Sequence, residues 1–250
     1  MSNYYSRPKN IDNAEQVIIR NHANLFFPED IGVLTRSSEQ HILDLQDLPL
    51  RYIKREENDL LIGGTTVIES IYSYTALDLI FSKSIAVEFG LNKRNRHTIG
   101  TILRACSGKS LFMSLLVALD AKIQVIQNNG TMTIGQWIDD NGRRFSAVKQ
   151  ITIPEYDYVN IEWNANTPMS LPDISLAAAR LRGGRTRIVL GGITPMPELV
   201  IDGQVSNNIV NNIENACSHY ININKYRHYY KSIIKTLLSR HFEKIIGFKE

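Results

Sequence analysis

Strand-like and helix-like segments follow one another in this chain of 250 residues without regular alternation. A helix and several strands come first, two helices lie at the centre, and three strand-like runs precede the helices of the carboxyl end. A doubly wound parallel sheet requires strands and helices to alternate along the chain. The order therefore predicts the α+β class, and Pro154, between two extended runs, is the expected domain boundary.

The amino-terminal half is predicted to hold helices, strands and one early hairpin. Asp12 is the expected cap of the first helix, with Glu15 completing a capping box. Asn58–Asp59 is a plausible turn between two extended runs, and Gly90 is the expected carboxyl-terminal cap of a later helix. The runs behind these predictions are IDNAEQVIIRNH, ANLFF, HILDLQDL, LRYIKRE, DLLIGGTTVIES and YTALDLIFSKSIAVEFG.

Two glycine-containing turns predict hairpins in the second half. Asn129-Gly130 lies between extended runs, a strong signal for a tight turn, and Gly183-Gly184 separates two further runs. After residue 203 the chain is predicted to be helical to its end, with a packed apolar stripe at helical spacing. The stripe consists of Tyr230, Ile234, Leu237, Leu238, Phe242 and Ile245.

The central stretch HTIGTILRACSGKSLFMSLLVAL carries Gly108-Lys109-Ser110 before an apolar helix. A mononucleotide P-loop reads G-x-x-x-x-G-K-[ST] and follows a buried strand. The first glycine would stand at position 103, which is Leu103, and the preceding NKRNRHT is polar and basic. A mononucleotide P-loop is therefore not predicted.

Composition excludes several classes of protein. The two cysteines, Cys106 and Cys217, form no C-x-x-C pair, and the six histidines have no metal-ligand spacing, so no metal site is predicted. No secretory signal and no run of about 18 apolar residues is visible, so we expect a reduced, cytoplasmic chain without a membrane span. A net charge of +3 does not require nucleic acid as a partner.

Segments along nearly the whole chain follow a recognisable order. They are YYSRPKNIDNAEQVI, HILDLQDLP, LLIGGTTVIESI, HTIGTILRACSGKSLFMSLLVALDAKIQV, LPDISLAAARL, RTRIVLGGITPMP and YRHYYKSIIKTLL. In this order they resemble the flavin-binding medium subunit of molybdenum hydroxylases, the carbon monoxide dehydrogenase and xanthine dehydrogenase group.

The resemblance implies two domains and a cofactor. Residues 1–154 would form an FAD-binding domain of the cresol methylhydroxylase type, with FAD between two α+β lobes. Residues 155–250 would form a three-stranded antiparallel sheet with helices. In that family the flavin receives electrons from a partner iron–sulfur small subunit and passes them to an external acceptor, in a complex with a molybdopterin large subunit.

The resemblance also implies cofactor-binding residues, because the family holds the FAD pyrophosphate with glycine-rich loops. The matching positions are Thr98, Ile99, Gly100, Ser107 and Ser110, with Asp173 at the position of an aspartate near the flavin edge. Thr101 and Ile102 replace a glycine and an asparagine of the family pattern. The other loop reads FPEDIG, which puts two carboxylates where the pyrophosphate would lie and has no glycine before Gly32.

Three readings of function follow. The first is an FAD-binding electron-transfer subunit, and the second is a cofactor-free homologue with a structural or interaction role. The third is a free-standing nucleotide-binding protein that uses Lys109. A basic group could neutralise a phosphate or could be solvated loop ends, and Asp173 could be a turn residue. The basic group consists of Lys93, Arg94, Arg96, His97, Arg104 and Lys109.

Overall fold

The computed structural model describes residues 4–21, 25–27, 41–140, 143, 145–167, 170–204, 229, 232–237 and 240. Its helices are α1 (Ile11–Asn21), α2 (Ile68–Tyr72), α3 (Leu79–Glu88), α4 (Leu91–Arg96), α5 (Ile99–Ala105), α6 (Leu111–Ala118) and α7 (Ile134–Asp139). Its strands are β1 (Tyr4–Ser6), β2 (Leu25–Phe26), β3 (His41–Leu43), β4 (Ile53–Glu56), β5 (Asp59–Gly63), β6 (Lys122–Val125), β7 (Asn128–Thr133), β8 (Val148–Ile153), β9 (Tyr156–Asn164), β10 (Ile174–Leu181), β11 (Arg185–Gly191) and β12 (Glu198–Gln204).

The chain forms two compact units and passes between them several times. The first unit consists of Met1–Tyr74, Gly90–Ala105 and Lys122–Ile153, and the second of Thr75–Phe89, Cys106–Ala121 and Pro154–Glu250. The last passage falls at Pro154. The mixture of helices with parallel and antiparallel sheets confirms the expected α+β class. The assignment of 1–154 and 155–250 to two family domains stays a prediction.

The first unit contains two sheets. A three-stranded parallel sheet has the order β1-β3-β2, and a five-stranded antiparallel sheet has the order β4-β5-β8-β6-β7. Helix α1 buries Ala14 and Ile18 against the parallel sheet, because residues four apart lie on one helix face. The apolar cluster there consists of Ala14, Ile18, Leu25, Phe27, Leu43, Leu45, Leu48, Leu50, Ile126 and Ala147.

The second unit is built on an antiparallel sheet with the order β12-β11-β10-β9. Residues 174–179 of β10 are all buried, which requires a layer on each face of the sheet. Helix α6, buried throughout, contacts β10 and β11 on one side. Ile234 and Leu237 of the predicted apolar stripe pack into the other side, as expected. Tyr230, Leu238, Phe242 and Ile245 lie outside the described residues.

The carboxyl-terminal sheet corrects one prediction. Three strands were expected, but the described residues form four, because Glu198–Gln204 pairs with β11 as an edge strand. The predicted hairpin between β10 and β11 is confirmed. Gly183 and Gly184 have φ values of +86° and +83°, which favour glycine.

Two predicted turns are displaced along the sequence, the first by one residue and the second by three. The β4–β5 turn is at Glu57–Asn58, with Glu57 at φ 55°, because Glu56 pairs with Asp59. The β6–β7 turn is at Ile126–Gln127, because a register shift after Gln124 pairs Val125 with Asn128. Asn129-Gly130 therefore lies within β7 rather than in the turn.

Two predicted caps are also wrong. Asn10, not Asp12, caps α1, since its side-chain oxygen accepts the Asn13 N–H at 2.8 Å. Gly90 is the N-cap of α4, with φ −63°, instead of the carboxyl-terminal cap of α3. The cap that follows α3 is the extended residue Phe89, so no left-handed residue is needed there. In the described part of the chain, no helix is both long enough and apolar enough to cross a membrane.

Candidate functional site

The Gly108-Lys109-Ser110 segment immediately precedes α6, and side chains of the protein accept N–H groups at the start of that helix. The Ser110 hydroxyl accepts the Met113 N–H at 3.1 Å, as an N-cap does. The Glu88 carboxylate at the end of α3 accepts the Phe112 N–H at 3.2 Å. A carboxylate thus stands where a P-loop would hold a phosphate, in agreement with the exclusion of that motif from the sequence.

Burial raises the pKa of Glu88 to about 7, and hydrogen bonds from Ser110 and from the backbone of Phe112 and Leu111 oppose the rise. In the unfolded chain this carboxyl group has the ordinary glutamate pKa of 4.5. Between these two values the folded protein binds more protons than the unfolded one. Stability therefore falls as pH rises through this window and levels off above it.

We expect Glu88→Gln to remove this pH dependence, because glutamine keeps a hydrogen-bond acceptor but carries no charge. Above pH 7 the variant should be more stable than the wild type by an amount on the order of 3 kcal/mol. Urea denaturation at pH values from 4.5 to 8, followed by circular dichroism, measures the pH dependence of stability and the difference between the two proteins. If the free energies of unfolding of the two proteins changed in parallel with pH, the raised pKa of Glu88 would be refuted.

The predicted loop around Thr98 is the start of helix α5, and the protein's own groups accept its backbone N–H groups. Ile99 donates to the Thr66 carbonyl at 2.9 Å, and Gly100 donates to the Gly64 carbonyl at 3.0 Å. The Thr101 N–H donates to the Thr98 hydroxyl at 3.3 Å. A side chain at Gly100 would place its Cβ 2.9 Å from the Gly64 oxygen. The glycine at position 100 thus permits close backbone packing.

Ser107, Ser110 and Asp173 belong to the second unit, whereas Thr98, Ile99 and Gly100 belong to the first. The Ser107 hydroxyl accepts the Lys109 N–H at 3.3 Å. The Asp173 N–H donates to the Asn164 carbonyl at 3.0 Å, and its carboxylate lies 3.9 Å from the Lys109 ammonium. These contacts are those of turn and cap residues, and a role of the six residues in cofactor binding stays a prediction.

The first unit contains a cavity of about 550 Å³, which we call the arginine cavity. Four arginines contribute to its lining, and no aspartate or glutamate is among the described residues that line it. The lining residues are Arg7, Phe27, Leu43, Leu45, Gln46, Arg51, Gly64, Thr65, Val67, Asn95, Arg96, Thr98, Arg104 and Val148. The cavity therefore suits a ligand with negative charge and an apolar part.

The four arginines differ in their surroundings. Arg104 is only 5% exposed, and its guanidinium carbon lies 3.7 Å from the centre of the Phe27 ring. Arg7 forms an ion pair of 2.6 Å with Asp47. Arg51 and Arg96 are exposed, and the guanidinium group of neither forms an ion pair or hydrogen bond with any residue that the structure describes. These two positive charges are available to a ligand.

The basic group predicted from the sequence is only partly brought together. Arg96 and Arg104 line the arginine cavity. Arg94 instead pairs with Glu69 at 2.7 Å and lies over the Tyr72 ring. Lys109 belongs to the second unit. Sequence reasoning missed Arg7 and Arg51, because each is a single arginine in its own segment and only the fold joins them.

Other candidate centres in the described residues are few. No group of three or more histidine, cysteine, aspartate or glutamate residues is arranged there to hold a metal ion. Cys106 is buried and forms no disulfide, and Cys217 lies outside the described residues. The loop residues Pro28, Glu29, Asp30 and Ile31 lie outside them as well, so the second predicted FAD loop is seen only at Phe27.

Comparison by sequence matches only part of the chain. No protein-family model matches the sequence. The uncharacterized protein YgfM of Escherichia coli K12 is 25% identical over 104 residues, which cover 42% of this chain and only 40% of the E. coli protein. Less than half of that relative is therefore matched.

Solved structures match over almost the whole chain. A chain of carbon monoxide dehydrogenase from Hydrogenophaga pseudoflava has a TM-score of 0.75, 17% identity and 96% coverage of both chains. A chain of quinoline 2-oxidoreductase from Pseudomonas putida 86 has a TM-score of 0.76, 16% identity and coverage of 99% and 98%. The protein thus has the fold of these oxidoreductase chains over nearly its whole length, as the resemblance predicted.

Proposed function

We propose that this chain is the FAD-binding electron-transfer subunit of a molybdenum hydroxylase-type oxidoreductase. It would receive electrons from a partner iron–sulfur subunit and pass them to an external acceptor, in a cytoplasmic complex with a molybdopterin subunit. The observation that carries the proposal is the arginine cavity, an anion-attracting space of about 550 Å³ in a fold shared with carbon monoxide dehydrogenase chains.

The lining of the arginine cavity fits a dinucleotide of this kind. Its volume lies within the range of about 300–1,000 Å³ that is usual for cofactor pockets. Guanidinium groups can contact the two phosphates, and the apolar side chains of Leu43, Val67 and Val148 can contact a ring. When bound, FAD supplies the redox chemistry, while the chain binds it and orients it.

A cofactor-free structural subunit is the second candidate, and a specific observation favours it. The N–H groups of Ile99 and Gly100, which a pyrophosphate loop would offer to the cofactor, already donate to Thr66 and Gly64. A fold does not guarantee the activity usually built on it. Under this reading the chain keeps its partner subunits but holds no flavin.

Absorption spectroscopy separates the two candidates. We expect protein that has been incubated with excess FAD and desalted to retain the visible absorption bands of flavin. At a free concentration of 100 times Kd, FAD should also add about 2.7 kcal/mol to the free energy of unfolding. A thermal melt with and without FAD measures that gain.

A colourless protein with an unshifted melt would contradict the flavin assignment and favour the structural subunit. Both candidates predict partner subunits on isolation from the native host, so a lone monomer would count against both. Stabilisation by ATP that is lost in Lys109→Gln would instead support the third reading, a free-standing nucleotide-binding protein.

A further inference from the structure

We propose that the arginine cavity recognises a diphosphate through guanidinium side chains, chiefly those of Arg51 and Arg96, rather than through backbone N–H groups. Its ligand class is then a nucleotide that carries two linked phosphates, such as ADP or a dinucleotide with an ADP half. As far as it concerns FAD, this inference rests on the proposed function.

Four backbone N–H groups at the glycine-containing turns beside the cavity already have acceptors within the protein. At the turn before α2, the Gly64 N–H donates to the Lys149 carbonyl at 2.8 Å, and the Thr65 N–H donates to the Leu50 carbonyl at 3.1 Å. At the start of α5, Ile99 and Gly100 donate to carbonyls of the same turn. These four N–H groups are therefore not offered to an anion in the cavity, whereas the guanidinium groups of its lining are.

Arg51 and Arg96 are suited to this role because they have no competing acid among the described residues. Arg51 precedes β4, and Arg96 ends α4, so two separate elements present the two charges to one cavity. A guanidinium group offers parallel N–H donors that match the oxygen atoms of a phosphate. Two guanidinium groups suit a ligand that has two linked phosphates better than they suit a ligand that has one phosphate.

Arg104 and Phe27 provide a third, buried part of the cavity. The guanidinium of Arg104 lies over the Phe27 ring, and that contact holds a positive charge below the surface at a fixed place. A buried positive charge attracts an anion more strongly than an exposed one, because water screens it less. The cavity should therefore discriminate by charge, so that riboflavin, which has no phosphate, binds far more weakly than FAD.

The test compares wild-type protein, the double variant Arg51→Gln/Arg96→Gln, and Lys93→Gln as a control. Lys93 carries the same charge on the same helix as Arg96 but does not line the cavity. Quenching of flavin fluorescence gives Kd for FAD and riboflavin, and displacement and thermal shift give Kd for ADP. Because all three side chains are exposed, we expect ligand-free melts of all three proteins to coincide.

We expect the double variant to bind FAD and ADP at least roughly tenfold more weakly than wild type, and Lys93→Gln to bind normally. Arg51→Lys/Arg96→Lys should also bind more weakly, since lysine keeps the charge but loses the paired donors. Added salt should weaken binding more in the wild type than in the double glutamine variant.

The outcomes separate this inference from the proposed function. Equal FAD binding by the wild type and the double variant would overturn the inference and leave the flavin assignment intact. Binding of ADP without FAD, lost in the double variant, would support the inference and overturn the flavin assignment. Failure of the wild type to bind FAD or ADP would overturn both.

Discussion

Replacing Gly64 by alanine is expected to destabilise the first unit by about 3 kcal/mol or more, a cost at the upper end for overpacking. A Cβ at this position would lie 1.9 Å from the Val148 carbonyl oxygen. The neighbouring atoms are backbone of β8, which cannot move without breaking the hydrogen bond from Gly64 to Lys149. Urea denaturation followed by circular dichroism measures the loss.

Gly135→Ala is the matched control for this prediction. Gly135 lies in the first turn of α7 in the same unit, and a Cβ there would meet nothing nearer than 3.7 Å. Because alanine favours helix over glycine, this variant should be unchanged or more stable by up to about 1 kcal/mol. If Gly64→Ala were as stable as Gly135→Ala, the close approach of Gly64 to Val148 would be refuted.

Gly64→Ala should also weaken ligand binding, because Gly64 lines the arginine cavity and accepts the N–H of Gly100. A shifted β5–β8 contact would move the start of α5 and, with it, the side chains of Thr98 and Arg104. Weaker binding of FAD at temperatures where the variant is still folded would show that this packing maintains the cavity.

Much of the fold was predictable because its signals are local. Extended runs bounded by turn residues predicted several strands, and Gly183-Gly184 predicted a hairpin whose turn needs positive φ. The turn at Ile126–Gln127 was not predictable, because a shift of pairing after Gln124 decided it against the stronger Asn129-Gly130 signal. Helix α5 was not predicted for a related reason. Its short sequence, IGTILRA, contains a glycine, and tertiary hydrogen bonds to Thr66 and Gly64 stabilise its start.

The candidate site was less predictable than the fold. Glycines near position 100 indicated an anion loop, yet Gly64 and Gly100 bring backbone segments close to each other, which glycine equally permits. Arg7 and Arg51 carry no motif, and only the fold joins them to Arg104. Whether arginines of separate segments line one cavity depends on the distances between those segments in the fold, and a single sequence does not reveal these distances.

Replacing Trp137 by alanine is expected to destabilise the first unit by about 3–5 kcal/mol. Its side chain is fully buried, and the indole Nε1 donates to the Leu103 carbonyl at 2.9 Å, which ties α7 to α5. Trp137→Phe should cost less, since it keeps most of the ring but loses the hydrogen bond. The control is Trp163→Ala, because Trp163 is only partly buried in β9.

Denaturant midpoints of the three variants, with FAD affinity measured in the folded range, test this prediction. Because Leu103 precedes Arg104, loss of the Trp137 hydrogen bond should free the end of α5 and weaken FAD binding as well as stability. Trp163→Ala, in the second unit, should leave FAD affinity unchanged. If Trp137→Ala lowered stability but left FAD affinity unchanged, Arg104 would hold its place over the Phe27 ring without help from α7, and α7 would have no part in shaping the cavity.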